Sequence, residues 1–345
     1  MLRRRLALLC LVNTLPAVWA LHGGATTGSS AGTVTELPVP TSRAGLAAIV
    51  AGPDGNLWFT EADANRIGRT TPAGAITEFP VPTLGGSPEG IAAGPDGNLW
   101  FTEASGNKIG RITTAGAIAE FPLPNANAVP TAITAGPDGA LWFTEAVANR
   151  IGRITTAGAI GDAAIPTADG LPSGIATGPD GALWFTEANG NKIGRITTGG
   201  VVTEYAIPTP DAFPIGITLG ADGNLWFVEQ IGGRVGKVTA TGGFAELTLP
   251  STASQPRRIA PGADGNLWVT EQAANMIARV TPNGSIAEFG GLAGTSEPEG
   301  IAWGPDGNVW FTEQAGNNVG RLGGIDVPLH WTTLLPKVSR GARPQ

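Results

Sequence analysis

Seven tryptophans, Trp58, Trp100, Trp142, Trp184, Trp226, Trp268 and Trp310, stand 42 residues apart, with no residue inserted or lost across the six intervals. A fixed period of this length marks a repeat architecture, in which each copy is one supersecondary unit that buries its apolar faces only against its neighbours. The text around each Trp is nearly constant. In the first copy it reads Gly-Pro-Asp-Gly-Asn-Leu-Trp-Phe-Thr-Glu at residues 52 to 61, Asn-Arg-Ile-Gly-Arg at 65 to 69, and Ala-Ile-Thr-Glu-Phe-Pro-Val-Pro at 75 to 82. Such a copy holds four short strands, which is the content of a β-propeller blade. The expected fold is therefore all-β, a seven-bladed β-propeller with four-stranded blades.

The second copy illustrates the reading. Strand a spans residues 90 to 94, and the Pro95-Asp96-Gly97 turn supplies a fixed φ and then a residue free to take positive φ. Strand b covers 98 to 103, strand c 108 to 113 and strand d 117 to 121, with Pro122 and Pro124 ending the outermost strand, where a missing N–H does little harm. The 52 Gly and 28 Pro, just under a quarter of the chain, would suit a low-complexity segment. Ten Trp and eleven Phe require a packed core instead, and the glycines fall at turns. Counting strands predicts how the ring closes. The first d-like segment, Thr33-Val34-Thr35-Glu36-Leu37, precedes every a strand and none follows Arg321, so the N-terminal strand is expected to complete the last blade. An open solenoid, the alternative, would leave two strand edges uncapped.

The ends of the chain suggest a route. Arg3, Arg4 and Arg5 precede an apolar run from Leu6 to Ala20 that closes on Val18-Trp19-Ala20, a signal-peptide pattern with cleavage after Ala20. An uncleaved anchor is the alternative. The expected division is a signal peptide at 1–20, a linker at 21–32, the propeller at 33–322 and a tail at 323–345, in a secreted or periplasmic monomer with no membrane span after cleavage. Cys10 is the sole cysteine, so the mature chain has no disulfide. A formal charge of -7 disfavours nucleic acid, whose binding needs clustered Lys and Arg.

The hairpin order puts the short a–b and c–d turns on one face of the ring and the longer d–a connectors and b–c loops on the other, where function is expected. Seven glutamates end the b strands: Glu61, Glu103, Glu145, Glu187, Glu229, Glu271 and Glu313. They are expected to reach that face, as an acidic ring able to hold a divalent cation or a basic ligand, or as carboxylates that each accept hydrogen bonds within their own blade or pair with an arginine such as Arg66 or Arg69. Departures from the repeat point to a single site. Gln230, Gln272 and Gln314 follow the repeat Glu in the last three blades, where Ala stands in the others, and Phe213 is a non-repeat aromatic in a connector. The expected ligand-binding residues are Glu271, Gln272, Gln314 and Phe213, for a small-molecule or protein ligand on the long-loop face.

The string Pro-x-Gly-Ile, then Gly-Pro-Asp-Gly-Asn-Leu-Trp-Phe-Thr-Glu, Asn-x-Ile-Gly-Arg-Ile-Thr and Ile-Thr-Glu-Phe-Pro-Val-Pro, resembles the virginiamycin B lyases over residues 33 to about 322. Propeller repeats of the NHL type share its Asp-Gly and Asn-x-Ile elements. The resemblance implies a seven-bladed enzyme that opens the lactone of streptogramin B antibiotics by elimination, with a magnesium ion and a histidine acting as acid or base. The family's histidines stand at the x of Pro-x-Gly-Ile in two consecutive blades. Here the seven equivalent positions are Ala47, Glu89, Thr131, Ser173, Ile215, Arg257 and Glu299, and none is His. The two histidines present are His22 and His330, outside the repeats. If the seventh blade is the equivalent one, the family's carboxylates match Glu297 and Glu313, which are the expected Mg2+ ligands. Candidate catalytic residues are Glu299, Glu313 and Arg257. Arg257 stabilises negative charge but takes no proton, and with Arg258 it can equally serve to neutralise neighbouring glutamates. Two functions therefore stand open: a non-catalytic ligand- or protein-binding propeller, and a magnesium-dependent lyase acting on a streptogramin B or a related cyclic ester.

Overall fold

A computed structural model describes residues 32–325 as twenty-eight β-strands in seven antiparallel sheets of four. Each sheet is one blade. In the first, β2 (Leu46–Ala51), β3 (Leu57–Glu61), β4 (Arg66–Thr70) and β5 (Ile76–Pro80) pair in chain order, as strands a to d of the repeat. The expected strand positions hold to within two residues at each end.

The last blade has the order β1-β28-β27-β26. Its outer strand is β1 (Thr33–Pro38), paired along its whole length with β28 (Asn318–Gly323), from Thr33 opposite Gly323 to Pro38 opposite Asn318. The inner strands are β26 (Pro298–Trp303) and β27 (Val309–Glu313). The N-terminal strand therefore clasps the ring shut, as the strand count implies. The signal peptide, most of the linker, His22, His330 and most of the tail lie outside the described residues. Among the described residues no helix is long and apolar enough to cross a membrane.

The core is repeated rather than central. The b strands are buried on both faces because each blade is packed between two others, and six of the seven repeat tryptophans are among the largest fully buried side chains. Every repeat Trp indole donates to the Asp of its own a–b turn, as Trp58 Nε1 does to Asp54 at 3.0 Å. Burial works to raise these carboxyls, but the hydrogen bonds outweigh it and hold Asp54, Asp96, Asp138, Asp180, Asp222 and Asp306 below the usual value. The last residue of each turn, Gly55 in the first blade, takes a φ of 75° that L side chains rarely adopt.

Blades are joined near the ring centre by a threonine of strand b. Thr60 Oγ1 accepts from Ala48 N at 2.9 Å and donates to Glu89 O of the next blade at 2.7 Å. Thr102, Thr144, Thr186, Thr270 and Thr312 repeat the relay, the last closing onto Ala47 O. Val228 occupies this position in the fifth blade and has no hydroxyl to give, so the relay lacks its link to the sixth.

Candidate functional site

A one-residue bulge in strand a shapes the long-loop end of every blade. In the sixth, Pro256 pairs with Glu271 and Ile259 with Val269, so three steps on one strand match two on the other. The bulge frees Arg257 and Arg258 from the ladder, and both side chains reach Glu299 of the seventh blade. Arg257 Nε donates to Glu299 Oε2 at 2.6 Å, and Arg258 Nη2 lies 3.8 Å from Glu299 Oε1. Glu299 is 4% exposed, so its carboxylate is compensated almost entirely by these two guanidinium groups. Glu89 belongs to the same group of charges. Burial raises its carboxyl, with Glu299 and Asp63 adding to the effect and Arg258 and Arg257 opposing it.

Sequence reading allowed that Arg257 and Arg258 neutralise neighbouring glutamates, which is what they do at Glu299, but it did not name the partner and gave Glu89 no role. One available signal was that Ala47, Glu89 and Glu299 share a repeat position with Arg257. Another was that Arg258 stands where the other blades have Gly or Ala. That position is tight elsewhere, since a Cβ on Gly300 would lie 2.3 Å from Ala47 O.

The repeat glutamates depart from the open acidic ring and, except for Glu313, which accepts from Asn318 of its own blade, from the pairing within blades. All seven are completely buried, so they form no open acidic ring. Glu61, Glu103, Glu187, Glu229 and Glu271 make no hydrogen bond through either oxygen. The arginines expected to pair with them bind elsewhere: Arg66 lies 3.9 Å from Glu78 on strand d and Arg69 lies over the Trp58 ring; in the second blade Lys108 likewise donates to Glu120 of strand d. The strand d carboxylates in turn hold the connectors, as Glu78 does by accepting from Thr41 N at 2.9 Å. Burial, followed by repulsion from the strand d carboxylate, pushes Glu61, Glu229 and Glu271 up to about 8. Burial also leads at Glu103 and Glu187, which rise to about 7, and it raises Glu145. The sixth blade differs in having Met276 where the first five have Arg or Lys, so no cation opposes the shift of Glu271.

Of the expected metal ligands, Glu297 is exposed at a φ of 53°, whereas Glu313 is completely buried. Glu313 Oε2 accepts from Asn318 Nδ2 at 2.8 Å, Oε1 has no partner, and burial ahead of its other neighbours raises the group to about 7. Among the described residues no three His, Cys, Asp or Glu side chains converge as a ligand set. A buried carboxyl whose ionisation burial opposes and an exposed one outside any such cluster do not fit a magnesium site.

The expected ligand contacts separate in space. Phe213 and Gln230 line a cavity of about 740 Å³ between the fifth and sixth blades, with Ile231, Leu249, Pro250 and Gln255 among the other walls. Sequence reading missed those last four, because the cavity is made by loops 20 residues apart that only blade packing brings together. Gln272 Nε2 lies 3.4 Å from Gln314 Oε1, an exposed contact across the sixth and seventh blades. Glu271 is closed off beneath them. The long-loop face thus combines a mostly apolar cavity, two paired amides and a compensated Arg–Glu cluster, an arrangement suited to holding a ligand.

A model of the virginiamycin B lyase family matches residues 17–212 and 172–326. A streptogramin B lyase structure is 39% identical, with a TM-score of 0.82 over 85% of this chain and 97% of that one. The selenomethionine form of virginiamycin B lyase from Staphylococcus aureus is 42% identical, with a TM-score of 0.81 over 85% of this chain and 99% of the relative. A catalytically inactive histidine-to-alanine variant of the same enzyme, with quinupristin, aligns with the same identity, coverage and score. Hydrazine synthase from Kuenenia stuttgartiensis, 18% identical at a TM-score of 0.68 over 84% of this chain and 98% of that one, shares the fold alone. Among curated proteins nothing matches the chain.

Proposed function

The chain belongs to the virginiamycin B lyase family, and we propose from that premise that it is an exported ligand-binding propeller whose long-loop face holds a small molecule without opening it. The observation that carries this reading is the 2.6 Å Arg257–Glu299 ion pair at the two positions where the family resemblance expects histidines. Elimination next to a carbonyl needs a base whose pKa lies near the working pH, placed to take the proton. Arg257 is always protonated, and the oxygens of Glu299 face two guanidinium groups. The cavity beside Phe213 has the volume of a small-molecule site. The Staphylococcus aureus relative was solved with quinupristin in a catalytically inactive form, which supports binding as an activity separable from turnover.

Titration of the purified chain with a streptogramin B by calorimetry, with mass spectrometry of the same mixture in magnesium, tests the reading. Saturable binding with no linearised product is expected, and Phe213→Ala weakens binding about tenfold. A linearised product overturns it in favour of the second reading, a magnesium-dependent lyase, which the 39% and 42% identities to lyases favour. The double variant Arg257→His with Glu299→His then reports whether the face keeps the rest of an elimination site. Export is tested separately by N-terminal sequencing of the secreted chain, with Leu21 expected first.

A further inference from the structure

Six blades fill the space beside the repeat tryptophan with a large side chain of strand d. Phe79, Phe121, Tyr205 and Phe289 lie against Trp58, Trp100, Trp184 and Trp268, with ring centroids 5.4 to 5.6 Å apart. Leu247 and Leu37 hold the same register in the fifth and seventh blades. The third blade has Ala163 there, opposite Ile151. The result is a slot of about 330 Å³ between the outer strands of the third and fourth blades, walled by Trp142, Ile151, Arg153, Ala163 and Gly200.

The slot has the outline of a missing ring. Phe79, Phe121, Tyr205 and Leu37 also cover the glycine in the c–d turn of the next blade. A Cβ added to Gly116 would lie 2.2 Å from Phe79, one on Gly158 2.6 Å from Phe121, and one on Gly242 2.5 Å from Tyr205. A Cβ on Gly200 would meet nothing within 4 Å. Trp142 is correspondingly the most exposed of the seven repeat tryptophans, at 3%.

We propose that this slot binds a small, uncharged, planar aromatic molecule, stacked on Trp142 in the place that Phe or Tyr takes in four other blades. Flat stacking at this spacing is favourable for the same reason as in the first, second and fourth blades, where the ring planes lie within 11° to 21° of each other, since both rings bury a face and the offset quadrupoles attract. A cation is already in position. Arg153 Cζ lies 5.9 Å from the Trp142 centroid, much as Arg69 Cζ lies 5.4 Å from Trp58 and 5.5 Å from Phe79, so the guanidinium can cover a bound ring as well. The rim carboxylate, Asp162, is engaged by Arg150 and by Asn125 Nδ2 at 2.9 Å, so it presents no unpaired charge to the ligand. The slot lies toward the short-turn side, apart from the long-loop face, and does not depend on the function proposed above.

Fluorine NMR titration of the full chain with 5-fluoroindole tests the proposal. Saturable broadening is expected, reversed by phenol but not by cyclohexanol, which matches phenol in size without its flat face. Ala163→Phe should weaken binding at least tenfold and raise the thermal midpoint by a few degrees, because the ring is then supplied from within. Ala163→Leu, which copies the fifth and seventh blades, carries the same expectation and serves if the Phe variant does not fold. Absence of saturable binding, equal competition by cyclohexanol, or unchanged affinity in a folded variant overturns the proposal.

Discussion

Arg257 and Glu299 show how much one substitution depends on its neighbour. Either residue alone would be a charge held near the centre of a packed ring, but together they form a 2.6 Å pair. Removing one partner leaves the other uncompensated, which costs ~3–5 kcal/mol for a fully buried pair. Arg257 keeps partial solvent contact and Arg258 remains 3.8 Å from Glu299, so Arg257→Ala is expected to cost about 2 kcal/mol in urea unfolding. Arg257→Lys should recover only part of it, because a compact ammonium does not reproduce the guanidinium geometry at the Glu299 carboxylate. The residue types were legible in the sequence as departures from Pro-x-Gly-Ile. That Arg257 could neutralise a neighbouring glutamate was legible too, but which one was not, because the two residues lie 42 positions apart and meet only where two bulges face each other.

The b and d strands set the response to pH. The turn aspartates, held low, contribute stability that is present above the ordinary Asp value and is lost as pH falls through their folded values. The buried glutamates act oppositely. Their folded values of about 7 to 8 lie above the unfolded one, so the native state binds more protons and stability is lost as pH rises from about 4.5 to about 8. Urea midpoints are therefore expected to peak near pH 5 and to fall toward pH 8. Glu271, completely buried and facing Glu288 without a strand c cation, should dominate a measurable share. Glu271→Gln is expected to gain about 1–2 kcal/mol at pH 8 and almost nothing at pH 5, less than a full conversion of its shift because ionisation recruits water and relaxation. From sequence these glutamates read either as a ring on the long-loop face or as carboxylates satisfied within their own blades. Their position at the end of strand b was right, but the connectors that cover them belong to the preceding d–a segment, whose path repeat spacing does not describe.

At the scale of the whole molecule the ring depends on one strand. β1 covers the outer edge of β28, whose other edge pairs with β27, and packs Leu37 against the first-blade core. Deleting residues 33–38 should expose that edge and lower the unfolding midpoint far more than any single substitution above, with dimers or larger species on size-exclusion chromatography as unpaired edges meet. The closure was legible because it is a matter of counting: seven copies each of a, b and c, with the first d ahead of the first a. The fold class, the blade number and the strand positions are likewise local properties, carried by alternation, turn chemistry and an exact period, which the chain reports wherever it is read. The site is of another kind. The Arg257–Glu299 pair, the cavity beside Phe213, the burial of Glu271 and the empty place beside Trp142 each arise between blades, where residues dozens of positions apart are brought within a few ångströms. A repeat pattern specifies what every blade has in common, whereas contact between two particular blades depends on packing geometry that no single copy contains.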